Sequence, residues 1–173
     1  MKAVSVNISG ILIVEPDVFP DDRGWFYESY NAEKFHSLGI DDIFVQDNHS
    51  RSVKNTLRGL HYQKTPGQVK LIRCTSGAIW DVAVDIREGS PTFGQWFGIE
   101  LSGENKKFLY IPIGFAHGFS VLSDIAEVQY KCSSVYDGKT EAGFAWNDPK
   151  IAIDWKVKEP LLSKRDMNNP LLF

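Results

Sequence analysis

Three residues able to move protons or hold negative charge lie close together in the stretch TLRGLHYQKTPGQVKLIR (residues 56–73): Arg58, His61 and Lys70. Histidine as a residue type exchanges its proton near neutral pH, and Arg and Lys bind anions. A cavity presenting all three suits an anionic ligand that carries an acidic C–H bond. A second stretch, IAEVQYKC (125–132), adds the phenol of Tyr130. Base, cation and phenol together are the parts for moving a proton beside a carbonyl.

These side chains can meet only if the strands carrying them turn them the same way. Successive residues of a strand point to opposite faces. Val69 to Cys74 alternates, so Lys70 shares a side with Ile72 and Cys74. In 125–132, Tyr130 shares a face with Ala126, Val128 and Cys132, opposite Glu127, Gln129 and Lys131. The stretch AIWDVAVDI (78–86) sets Trp80, Val82, Val84 and Ile86 against Ile79, Asp81, Ala83 and Asp85. A Lys or Tyr turned toward apolar neighbours needs a partner or a function. The structural alternatives are a Lys that snorkels to a barrel rim and a packed Tyr with a satisfied hydroxyl.

Along the chain, ILIV (11–14) reads as strand, EPDVFPDDRG (15–24) as turn, and WFYESY (25–30) as strand-like. A short helix follows, with Asn31 as its N-cap, Phe35 and Leu38 as its apolar stripe, and Gly39 closing it. His36 on that helix is expected at the surface. From residue 43 short strands alternate with turn signals at 90–94, 102–105 and 136–139, and the tail from Pro160 reads as loop and short helix. This pattern predicts one all-β domain spanning 1–173, a jelly-roll barrel with short helices.

At 173 residues the chain can bury a core without staples. A net charge of −3 argues against non-specific nucleic-acid binding, which needs a broad basic surface. Cys74 and Cys132 make neither a disulfide framework nor a zinc pattern and read as buried apolar residues in a reducing compartment. The run 11–14 is too short for a membrane span or a signal core. The expectation is a cytoplasmic protein with no membrane partner.

The stretch IPIGFAHGFSVL (111–122) contains P-x-G-x-x-H as Pro112, Gly114 and His117, the second signature of the cupin jelly roll. Metal cupins pair that His with an H-x-H in the first signature. Here the corresponding stretch is GLHYQ (59–63), so Gln63 stands where the second His would be. Two histidines and a neutral amide are a poor set for a catalytic metal. A metal-free barrel is expected, with no cofactor, since no Gly-rich dinucleotide loop is present.

The fragments DDRGWFYE, FVQDNHS, LRGLHYQ, VKLIRC, DVAVDIR, SPTFGQW, IPIGFAHGF, AEVQYKC, EAGFAWNDP and LSKRD occur in this order over nearly the whole chain. Together they resemble the dTDP-4-dehydrorhamnose 3,5-epimerase family. The resemblance implies a homodimer of cupin jelly rolls, with part of the N-terminal region completing the partner's site, and a dTDP-sugar as substrate. It implies His61 as general base, Asp166 orienting it, Tyr130 as general acid on the opposite sugar face, and Lys70 stabilising an enolate oxygen. Arg23, Glu28, Gln46, Asp47, Asn48, Arg58, His117, Glu141 and Arg165 match substrate-contacting positions. Arg165 stands where the family pattern has Lys, which keeps the charge and changes the donor geometry. The rival readings are an epimerase acting at C3 or C5 alone, a metal cupin, and a sugar-binding jelly roll without chemistry.

Overall fold

The alternating stretches pair into two antiparallel sheets in the computed structural model, which describes residues 1–173. In chain order the strands are β1 (Lys2–Ser5), β2 (Leu12–Glu15), β3 (Phe19–Asp21), β4 (Gly24–Phe26), β5 (Gln46–Val53), β6 (Leu57–Gln63) and β7 (Lys70–Ser76). They continue as β8 (Ala78–Asp85), β9 (Trp96–Ser102), β10 (Phe108–Ile111), β11 (Phe115–Val121), β12 (Ile125–Cys132) and β13 (Glu141–Gly143). Helix α1 (Ala32–Ser37) follows β4, and a 3-10 turn lies at Asp166–Asn168. One sheet runs β1-β2-β10-β7-β12-β5 and the other β13-β6-β11-β8-β9, while β3 and β4 form a separate hairpin. Most spatial neighbours are distant in sequence, which is the connectivity of the cupin-type jelly roll.

The strand faces sort as their alternation predicts. Ile72, Cys74, Ala126 and Val128 of one sheet meet Ile79, Ala83, Phe115 and Phe119 of the other in the inner core. The opposite face of β8, with Val82 and Val84, packs under Phe144, Ile151 and Trp155 of the C-terminal segment. On the far side of the six-stranded sheet, Phe35 of α1 joins Val14, Ile40, Leu71 and Phe108. Asn31 caps that helix by accepting the Lys34 N–H, and Gly39 follows it at a φ of +82°. The strand expected over 25–30 stops at Phe26. Beyond it Tyr27 lies edge-on to Phe108, and Glu28 turns back to Lys34 and Asn31.

Two buried carboxylates lock loops onto this frame. Asp148 accepts backbone N–H groups of Lys150 and Leu172 at 2.9 and 2.8 Å, which fastens the chain end to the barrel. Asp85 is fully buried and accepts from Arg87 Nε and Nη2, Ser90 Oγ and Thr92 Oγ1 at 2.5–2.9 Å. Burial pushes its carboxyl up, yet these bonds outweigh burial and hold it well below the ordinary range. Its stabilisation is therefore present above the unfolded carboxyl pKa of ~4 and is lost as the pH falls below that. Asp85→Ala leaves Arg87 without its partner and is expected to destabilise the fold by about 3–5 kcal/mol, read as a lowered urea midpoint at pH 7.

Candidate active site

Strands β6 and β11 bring two histidines side by side. His61 lies opposite His117 in the register, and a register shift follows before Phe119 meets Arg58. Gly59 and Gly118 permit this approach: a Cβ on Gly59 would sit 2.5 Å from Gly118 Cα and 2.7 Å from the His117 carbonyl. Gly59 also has a φ of +119°, which a side chain rarely adopts.

Each histidine is held by its own carboxylate. His61 Nε2 lies 2.6 Å from Asp166 Oδ1, and Ser163 Oγ donates to the other Asp166 oxygen at 2.9 Å. Burial raises the Asp166 carboxyl, but the bonds from His61 and Ser163 prevail and hold it below its usual value. An ionised Asp166 accepts the Nε2 proton, which leaves Nδ1 of His61 as the basic nitrogen. His117 Nε2 lies 2.9 and 3.1 Å from the two oxygens of Asp81, which is fully buried. Burial, reinforced by Lys70 and His61 nearby, keeps His117 below the normal imidazole value, against the pull of Asp81.

The other inward strand faces supply the facing wall. Lys70 and Tyr130 line the same cavity of about 140 Å³ as His61, together with Gln46, Asn48 and Glu141. Burial lowers the Lys70 ammonium, opposed by Cys132, Asp81 and Glu141. Burial raises the Tyr130 phenol, with Arg58 opposing, so it stays protonated at neutral pH and can donate. Neither the Lys70 ammonium nor the Tyr130 hydroxyl is satisfied by a hydrogen bond within the chain, so both remain available to a ligand.

At the mouth, Arg165 pairs with Glu141, which also accepts from the Tyr136 hydroxyl at 2.8 Å. The Tyr136 N–H donates to Gln46, whose amide donates on to Asn48 at 3.1 Å. Arg58 is exposed and donates to Ser52 at 3.0 Å.

Three residues expected at the site lie elsewhere in the chain's own fold. Asp47 alternates with Gln46 and Asn48, so it faces out and pairs with Lys131 at 2.9 Å. Arg23 sits on the β3–β4 hairpin, paired with Asp21, and Glu28 bonds Lys34 beside α1. A larger cavity of about 300 Å³ opens on that outer face, lined by Asp47, His49, Arg73 and Lys131. It holds neither His61 nor Lys70. Tyr62, Gln68 and Tyr136 also line the inner cavity and were not singled out from the sequence. Tyr136 and Gln68 stand outside the strands, where alternation gives no signal; Tyr62 stacks on Phe144 at 5.0 Å.

Gln63 is committed to structure: its amide donates to the Asp137 carbonyl at 3.1 Å and to Thr140 Oγ1 at 2.8 Å. It thereby holds the turn beside Glu141 and leaves His61 and His117 without the third donor of a cupin metal site. Prolonged dialysis against a strong chelator is expected to leave turnover unchanged. A loss restored by one added divalent metal would contradict this.

Residues 5–173 match the family model described as dTDP-4-dehydrorhamnose 3,5-epimerase. The chain is 56% identical over 169 residues to the dTDP-4-dehydrorhamnose 3,5-epimerase of Escherichia coli K12, covering 96% of this chain and 91% of that protein. It is 50% identical to the structure of dTDP-6-deoxy-D-glucose-3,5-epimerase from Legionella pneumophila in complex with dTDP-4-keto-L-rhamnose. The TM-score is 0.96 over 99% of this chain and 92% of that one. A 3'-monoepimerase from Streptomyces bikiniensis, in complex with dTDP-quinovose, is more distant at 39% identity and a TM-score of 0.91, over 96% and 86% of the two chains.

Proposed function

The chain belongs to the dTDP-4-dehydrorhamnose 3,5-epimerase family, and from that premise we propose how its own residues perform the reaction. It epimerises C3 and C5 of dTDP-4-keto-6-deoxy-D-glucose to give dTDP-4-keto-L-rhamnose, a step of dTDP-L-rhamnose biosynthesis. Both C–H bonds flank the C4 ketone, so removing either proton places negative charge on a single oxygen as an enolate.

The observation that carries the assignment is the His61–Asp166 pair facing Lys70 and Tyr130 around one cavity. His61 Nδ1 takes the proton, and Asp166 holds the ring and stabilises the imidazolium that forms. Lys70 meets the charge where it develops, often the largest single term in catalysis. Tyr130 returns a proton from the opposite face, and the centre inverts. The forked guanidinium of Arg58 suits the diphosphate. Gln46, Asn48, Glu141 and Arg165 order the mouth through which the sugar enters.

The enzyme acts as a homodimer. Support comes from the β3–β4 hairpin, whose Phe19, Trp25 and Phe26 are exposed with Arg23 at its turn. An apolar hairpin of this kind suits burial against a second copy. There Arg23 and Glu28, remote from the inner cavity of their own chain, complete the partner's site. A cytoplasmic location agrees with two free, buried cysteines.

The deciding experiment is NMR of the product formed from dTDP-4-keto-6-deoxy-D-glucose in deuterated water. Deuterium at both C3 and C5 of the L-sugar is expected. Label and inversion at C3 alone would assign the narrower activity.

A further inference from the structure

Ser163 makes two hydrogen bonds to one residue, and their directions can be worked out in turn. Its Oγ lies 3.0 Å from the Asp166 N–H and 2.9 Å from Asp166 Oδ2. A backbone N–H can only donate, so Oγ accepts the first bond. An ionised carboxylate can only accept, which leaves the Ser163 hydroxyl proton as donor of the second. One hydroxyl therefore grips the backbone and the side chain of Asp166 together.

The segment that carries this grip is anchored to the strand that carries the base. The Leu161 N–H donates to the Asn55 carbonyl at 2.8 Å, and the Leu57 N–H donates back to the Leu161 carbonyl at 2.9 Å. Strand β6 begins at Leu57 and holds His61 four residues further on. After Leu161 the chain makes a tight turn, with the Met167 N–H on the Ser163 carbonyl at 3.1 Å. The S-x-x-D spacing in LSKRD sets Ser163 and Asp166 one turn apart, which suits such a local bond. Asp166 Oδ1 then meets His61 Nε2 at 2.6 Å.

A carboxylate turns readily about its Cβ–Cγ bond, where the torsional preference is broad. Here each oxygen has its own donor, so turning the group would break the His61 and Ser163 bonds together. Without the hydroxyl, the side chain meant to aim His61 would lose the bond that fixes its second oxygen. We propose that Ser163 is a positioning residue: its hydroxyl fixes the plane of the Asp166 carboxylate and, through it, the ring of His61, so that Nδ1 faces the sugar carbon. The proposal rests on the epimerase reading for its purpose, but the His61–Asp166 bond can be followed without any turnover. Ser163 acts wholly through Asp166.

The test compares Ser163→Thr with Ser163→Val, which match in shape and differ by one hydroxyl. Ser163 is exposed, so neither change disturbs the core. The probe is the proton resonance of His61 Nε2–H in protein labelled with ¹⁵N-histidine, assigned by its loss in His61→Asn. A short bond to an ionised carboxylate places that resonance at low field and slows its exchange with solvent. The Thr variant should keep the parent's resonance and kcat. In the Val variant the resonance should move upfield and broaden. Its kcat should fall about tenfold with KM little changed, the loss expected from one hydrogen bond to a charged group. Substrate exchange with deuterated water should fall along with inversion, because the base acts before the enolate forms. A Val variant with the parent's resonance and kcat would overturn the proposal. Equal changes in Thr and Val would overturn it too, because shape alone would then matter. Should the Val variant fail to fold, the same readings on Ser163→Ala decide. Absence of epimerase activity in the parent would instead refute the functional reading and leave the resonance comparison standing.

Discussion

His61→Asn is expected to lower turnover of dTDP-4-keto-6-deoxy-D-glucose by about 10²–10⁴-fold, the usual cost of losing one general base. Asn is the informative replacement because Asp166 is only 3% exposed and takes its bond from His61 at 2.6 Å. An alanine would leave that buried carboxylate without one of its donors and confuse lost chemistry with lost stability. An amide keeps a polar N–H at that position, ending short of where Nε2 stood and with Ser163 still donating to Asp166, and it cannot take a proton from carbon. Circular dichroism and the thermal midpoint should stay close to the parent's. Turnover within a few-fold of the parent, with the fold intact, would remove His61 from the mechanism.

The second large effect separates the two faces of the sugar. Tyr130→Phe removes the hydroxyl and keeps the ring that packs beside the inner core. His61 can still abstract a proton, exchange it with solvent and return it to the same face while Lys70 holds the enolate. The variant should therefore place deuterium in recovered, uninverted substrate, while inverted product falls by about 10²-fold or more. Mass spectrometry of the recovered sugar nucleotide and NMR of the product read both rates from one incubation. If Tyr130 only fills space, exchange and inversion should fall together. That result would strip the acid role from Tyr130 and leave His61 to stand on its own variant.

The inward direction of Lys70 and Tyr130 is legible in the sequence, because strand alternation ties each to buried neighbours: Ile72 and Cys74 for one, Ala126, Val128 and Cys132 for the other. The cap at Asn31 was legible for a similarly local reason, a short polar side chain ahead of an apolar stripe. What was missed depends on contacts between distant parts of the chain. The same alternation that turns Gln46 and Asn48 inward sends Asp47 outward, so three consecutive residues of one strand could not all reach the cavity. The stretch 25–30 has strand-forming residues, yet no neighbouring strand pairs with it beyond Phe26, and side-chain packing takes over. Asp81 stood on the face that holds the site, but its pairing with His117 appears only when β8 lies beside β11.

The base and the carboxylate that orients it are separated by 105 positions in sequence. Ser163 and Asp166 belong to the segment after Pro160, which is fastened where Asp148 takes the Leu172 N–H and Ala145 donates to the Pro170 carbonyl. All thirteen strands, Lys70 and Tyr130 lie before that segment. The aim of the base therefore hangs on a strap laid across the outside of the barrel, and loosening the strap would disarm His61 without unpairing a single strand.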